Sequence, residues 1–334
     1  MSTARAALAV ALLLGSGPAG AAVLKVGPNE ALKGPWAASK AAKEGDTIEI
    51  APGEYYGCGA FYQNRLTITG PTDPATPAVL TDTTCQGKAI LVIAGADVTV
   101  RHLTLTRARV MDGNGAGIRA EGKGLTVSHI RFVNNQSGIL SAPQPNSTIA
   151  VLDSVFERNG TTGERCVPTL DIGNAGRLVV ERSVFLAPRG CDVLRARGVG
   201  RTEVIDSRFE DGPAGHLVVV EDGGGLLVRG SRFVRGPGAT GAAVVMRDLA
   251  GRGDGAEMRD SVLENRSGRP QVLLHAVMPG RAVVSGNTVG RGDTELDESG
   301  YWMARARGTA RATSDTGKKA AGAVVRAVRG VLPF

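Results

Sequence analysis

The sequence is short of several things. Aromatic residues make up 4% of its 334 positions, and there are only four histidines and four cysteines. No C-x-x-C pair occurs, which argues against a four-cysteine metal site. Past the N-terminus there is no run of 18 apolar residues to cross a bilayer as a helix. Long amphipathic helical patterns are missing from the middle, which argues against long helices there. The body also lacks net positive charge. Arg5 carries +1 and residues 304–334 carry +6, which together account for the whole formal charge of +7. The basic character therefore belongs to a tail, and a nucleic-acid footprint over the body is not expected. What is abundant is glycine, with 47 residues, and short clusters of Val, Ile and Leu. That combination favours many short strands joined by turns.

The two ends differ from the middle. Arg5, the apolar run 6–15 and Ala19-Gly20-Ala21 form a positive start, a short apolar core and an A-x-A site. Residues 1–21 are thus expected to be a secretory signal peptide, leaving a secreted or periplasmic protein. At the other end Ala321, Val324, Val325 and Val328 follow helical spacing among Lys318, Lys319, Arg326 and Arg329. Residues 291–334 read as a basic C-terminal cap or tail, or as an amphipathic segment docking on an anionic envelope surface.

Between the ends one pattern recurs. Residues 98–105, 125–132, 149–156, 178–185, 202–209, 226–233, 256–263 and 282–289 align without gaps, at spacings of 24 to 30. Such a period indicates a solenoid. Its first column runs Val100, Val127, Val151, Val180, Val204, Val228, Met258, Val284. Its second is Ser-rich, with Ser154, Ser183, Ser207, Ser231 and Ser261. Its third holds Phe132, Phe156, Phe185, Phe209 and Phe233, five of the seven Phe in the chain. Parallel strands stack about 4.8 Å apart, so like residues of successive coils lie over one another. The step of three from first to second column places a bend there, with His102, His129, Asp153, Arg182, Asp206, Gly230, Asp260 and Gly286 outside it. Cys58 and Cys85 are 27 residues apart, and Cys166 and Cys191 are 25 apart. Each gap is one coil, so two disulfides are expected. Pro35 to Glu44 reads as a capping helix, with Ala37, Ala38, Ala41 and Ala42 as its apolar face and Gly45 at its C-cap. The fold expected is all-β: a single-stranded parallel β-helix of about ten coils over 22–290, with a short N-terminal capping helix over 35–44. A monomer is expected.

The run Lys43-Glu44-Gly45-Asp46-Thr47-Ile48-Glu49-Ile50-Ala51-Pro52-Gly53-Glu54-Tyr55 resembles the entry segment of right-handed β-helix proteins of the pectin lyase-like superfamily. There an Ala-rich helix and a GDTI…PGxY run precede the coils. The repeats are similar to the right-handed β-helix region of many bacterial exported proteins, and the resemblance covers about residues 24–290. It implies a right-handed helix. The superfamily contains polysaccharide lyases, hydrolases, esterases and uronan epimerases, so it implies an acidic polysaccharide without choosing a reaction. The hydrolase, pectate lyase and esterase signatures are absent: Gly215-His216 is followed by Leu217, and Gly268-Arg269-Pro270 by Gln271. A non-catalytic structural or interaction β-helix of the envelope is the alternative.

The residues singled out for chemistry lie on the strand before each repeat. By alternation Arg119, Leu140, Asp171, Arg195, Val219 and His275 face outward from successive coils, with Arg247 nearby in undetermined register. Arginine can grip a sugar carboxylate with two hydrogen bonds. Asp171, Arg195 and His275 are the candidate catalytic residues: Asp171 suits Ca²⁺ coordination or proton transfer, and His275 acid or base work. Arg119 and Arg247 are candidate substrate ligands. The same polar positions would equally serve as an exposed ion ladder. No cofactor is certain, and Ca²⁺ is the one this face would accept. His129 beside Asp153 in the bend column forms a second candidate pair for substrate. The turn Met111–Ala116 with Gly163-Glu164-Arg165 is a candidate groove wall or Ca²⁺ loop. Tyr55, Tyr56, Tyr62, Tyr301 and Trp302 would stack on sugar rings or cover the ends of the helix.

Overall fold

A computed structural model of the chain describes residues 20–163, 166–210, 215–249, 251, 253–280 and 282–300. Most of the proposed signal, the tail beyond 300, the Tyr301-Trp302 pair and Glu164-Arg165 lie outside the described residues.

The short strands assemble into three parallel sheets of eleven, ten and nine strands, each built from one strand per coil. This is the expected all-β parallel solenoid. It has eleven rungs rather than ten, counted in the sheet that begins at Val23–Val26 and ends at Val283–Ser285. Eight of these rungs are the aligned repeats. The other three, at Val23–Val26, Thr47–Ile50 and Thr67–Thr69, precede them and lack the Phe marker.

The interior follows from the columns. In the eleven-stranded sheet Ile48, Ile68, Val100, Val127 and Val151 pair in direct register, all fully buried. In the nine-stranded sheet Tyr55, Leu80 and Leu105 continue the Phe column toward the N-terminal end. The five Phe rings stack face to face, with centroids 4.5, 4.6, 4.5 and 5.4 Å apart. In-register parallel strands bring the rings to this separation, and buried aromatic area dominates core energetics.

The Ser column satisfies the backbone where the chain bends. The N–H of Ser154 donates to Ser183 Oγ at 3.2 Å, Ser183 to Ser207 at 3.1 Å and Ser207 to Ser231 at 3.2 Å. Each hydroxyl in turn donates to a carbonyl two residues earlier, as Ser154 Oγ does to Leu152 O at 2.7 Å. A bend breaks the strand ladder, and this hydroxyl supplies the acceptor that the ladder loses. The residue outside each bend takes a left-handed conformation, with φ of +54° at His102 and His129, +49° at Asp153 and +46° at Arg182. Histidine and arginine occupy this conformation here, alongside the Asp and Gly that favour it.

Both predicted disulfides form, with Cα–Cα distances of 5.4 Å for Cys58–Cys85 and 5.8 Å for Cys166–Cys191. The capping helix is shorter than expected, Pro35–Ala41 rather than 35–44. Ala42 already has extended backbone at ψ 140°, and Gly45, with φ +83°, turns the chain after the helix has ended. Its buried face is Pro35, Ala38, Ser39 and Ala42, while Ala41 is exposed. Trp36 is also exposed, with the Lys40 ammonium 4.4 Å from the ring.

Candidate functional site

The outward positions of the ten-stranded sheet form one column. Register places Arg119 beside Leu140, Leu140 beside Asp171, Asp171 beside Arg195 and Arg195 beside Val219. Val219 then pairs with Val245, Val245 with His275 and His275 with Asp297. Arg247 is not in this column: Val245 takes the place, and Arg247 lies two residues on, beside Glu221, which accepts from its Nη1 at 2.8 Å. Leu140 and Val219 point away from the solenoid axis but are buried, at 6% and 1% exposure. Leu140 joins an apolar cluster with Ala60, Val92 and Ala116 beside the Cys58–Cys85 bridge, against which Val167 packs. Its outward face is covered, which alternation alone does not reveal.

Asp171 and Arg195 meet as neighbours. Arg195 donates from Nε to Asp171 Oδ1 at 3.0 Å and from Nη2 to Oδ2 at 2.5 Å, each side chain about a quarter exposed. This two-pronged grip holds the Arg195 pKa above its ordinary value, against the opposing effect of burial. Nη1 of Arg195 has no hydrogen bond among the described residues. Arg119 is also on this face, its Nε 3.5 Å from Glu121, a carboxylate that also takes Lys88 at 2.7 Å. His275 is three rungs from Arg195, about 14 Å at the strand spacing. Its Nε2 lies 3.0 Å from Ser299 O and 3.7 Å from Asp297. Asp171, Arg195 and His275 therefore do not converge on one reacting atom.

The bend column lines a cleft of about 330 Å³ with Pro71, Asp73, Pro74 and Arg131. The His102 and His129 rings stack there, centroids 4.9 Å apart. Burial, then repulsion from His129, pushes the His102 pKa down, which favours the neutral imidazole. Asp153 is gripped by Arg182 at 2.7 and 3.0 Å, which holds its carboxyl below the usual range.

The third set of residues lies on the turns leading into the ten-stranded sheet. Gln136 accepts from the N–H groups of Val110 and Gly115, both at 2.8 Å, and so fixes the 110–115 turn. Among the described residues no group of three or more His, Cys, Asp or Glu is arranged to hold a metal ion. Asn135 and Asn159, fully buried, form a short ladder: the Asn135 N–H donates to Asn159 Oδ1 at 3.0 Å. Both stand three residues after a Phe of the third column, at Phe132 and Phe156. That offset is visible in the sequence, but nothing in it marks the two as buried. Tyr55 is in the core with its hydroxyl donating to Ala51 O at 2.8 Å, whereas Tyr56 and Tyr62 are exposed.

No family model matches the chain, and no curated protein matches it. Among solved structures it is similar to a pectin methylesterase from Aspergillus niger, at 13% identity over 86% of this chain and 90% of that one, with TM-score 0.40. A pectin methylesterase from Erwinia chrysanthemi matches at 9% identity over 83% and 92%, with TM-score 0.40. An alginate lyase from a Paenibacillus species matches at 13% over 83% and 98%, also with TM-score 0.40. These neighbours are right-handed parallel β-helix proteins. At this level of likeness no activity passes from them to this chain.

Proposed function

We propose that this chain is an exported β-helix protein that binds an acidic polysaccharide lengthwise on the outer face of its ten-stranded sheet. One observation carries the reading. Arg195 is oriented by Asp171, is partly exposed, and has no hydrogen bond at Nη1 among the described residues, which leaves that donor for an incoming anion. A guanidinium positioned this way loses little freedom on meeting a carboxylate. Arg119 repeats the cationic function three rungs away. The A-x-A segment and the two disulfides support an oxidising compartment outside the cytoplasm.

A second observation favours a non-catalytic role. The candidate carboxylates Asp171 and Asp153 each accept two hydrogen bonds from an arginine, so their oxygens are already engaged rather than open to a reacting group. The reading is therefore of binding, and no catalytic step is assigned. The test is titration of the mature protein with pectate, alginate and hyaluronan against a neutral glucan. Absorbance of unsaturated uronates is followed with and without Ca²⁺. Saturable, salt-sensitive binding of an acidic polymer, weakened roughly tenfold in Arg195→Gln, is expected. Equal binding of neutral and acidic polymers would sink the proposal.

A further inference from the structure

Four consecutive coils place a residue four positions after the third column: Arg109, Gln136, Gly160 and Arg189. With Thr161 and Thr162 these line a pocket of about 290 Å³. Long side chains let the two arginines reach toward each other across the intervening coils. Arg109 donates from Nη2 to Asn134 Oδ1 at 2.9 Å, and Arg189 donates from its own Nη2 to the same oxygen. Two guanidinium groups thus meet at one neutral amide oxygen, and neither forms an ion pair among the described residues. Burial and the nearby Arg189 push the Arg109 pKa down. Asp82 is the carboxylate close enough to oppose this, and Arg107 occupies both its oxygens, at 3.0 and 2.9 Å.

Like charges brought together without a counter-ion repel, and exposed side chains can relieve this by swinging apart. Here the surrounding turns are tied to one another. The Arg189 N–H donates to Asn159 O at 2.8 Å, and the Cys166–Cys191 bridge ties the two turns together. Gly160, at φ +100°, leaves no room for a side chain: a Cβ there would sit 2.4 Å from Gly190 N. Glycine thus permits the close approach of adjacent turns and keeps the pocket floor open.

We propose that Arg109 and Arg189 form a subsite for one planar or tetrahedral oxyanion of an acidic sugar, a carboxylate or a sulfate ester. The proposal rests on the reading that an acidic polymer lies on this face. The turns concerned lead directly into the strands bearing Arg119, Leu140, Asp171 and Arg195. An anion seated here takes over the donors that now share Asn134 and relieves the repulsion between the two cations.

The test uses the mature full chain with three probes: a galacturonate hexamer, a sulfated galactan hexamer and inorganic sulfate. Arg109→Gln and Arg189→Gln are each expected to weaken the preferred hexamer roughly five- to tenfold. The hexamer that binds wild type more tightly identifies the anion. Inorganic sulfate is expected to shift the Nε–H resonances of both arginines, and this arm reads the subsite without any polymer. A polymer that binds equally to wild type and both variants, melting profiles being unchanged, overturns the subsite while leaving the wider reading intact. Absence of any sulfate-induced shift at Arg109 and Arg189 overturns it also.

Discussion

The inner and outer columns of the solenoid obey different rules. In the nine-stranded sheet the inward column keeps one residue type, Phe, over five successive coils. In the ten-stranded sheet the outward column changes type at almost every rung: Arg119, Leu140, Asp171, Arg195, Val219, Val245, His275. Inside, each ring must fit those above and below it at a fixed spacing, so neighbours select like residues. Outside, a side chain answers only to what covers it, which is a turn at Leu140 and water at others. The interior therefore explains the fold, and the exterior holds whatever is particular to this chain.

Substitutions that set the two columns against each other follow in order of expected size. Phe185→Ala, in the middle of the stack, is expected to cost about 4 kcal/mol in chemical denaturation, since it removes a ring with partners on both sides. A loss below about 1 kcal/mol would mean that the stack adds little. Ser207→Ala leaves the Ser183 N–H without its acceptor and is expected to cost about 2 kcal/mol. Glu203 is an intermediate case. It points outward yet is only 7% exposed, between Arg177 and Arg201. Burial pushes its carboxyl up, but the hydrogen bonds from the two arginines outweigh this and hold it below the usual range. A carboxyl held below its unfolded value contributes stability that is present above the unfolded pKa and lost as pH falls through the folded one. Glu203→Gln is therefore expected to cost about 1 kcal/mol at neutral pH, discounted because both arginines are half-exposed. It should also flatten the loss of stability on acidification through the carboxylate range. Arg208→Ala, outward beside Phe209, is expected to change stability by no more than about 0.5 kcal/mol.

How much could be read from sequence follows the same division. The Val, Ser and Phe columns, the bend conformation and both cysteine pairs were legible because stacking repeats them at one register. The three N-terminal rungs lay outside the eight aligned repeats, although Ile48 and Ile68 keep their first column. The register of Arg247 was lost because the strand before each repeat carries no comparable marker. Arg109 and Arg189 share an offset with Gln136 and Gly160, but a shared offset does not say that the two side chains reach one another across the intervening coils. That Leu140 and Val219 are covered was beyond reach, since alternation assigns a face but does not say what packs on it.

The central claim is that an acidic polymer binds the outer face of the ten-stranded sheet through oriented arginines. Equilibrium titration of pectate against Arg195→Gln and Arg208→Ala tests it most directly. Arg195 is oriented on that face, and Arg208 is an exposed arginine on another sheet. The expected result is a roughly tenfold loss for Arg195→Gln, no change for Arg208→Ala and affinity that falls with salt. Equal affinities for both variants and wild type would contradict the claim.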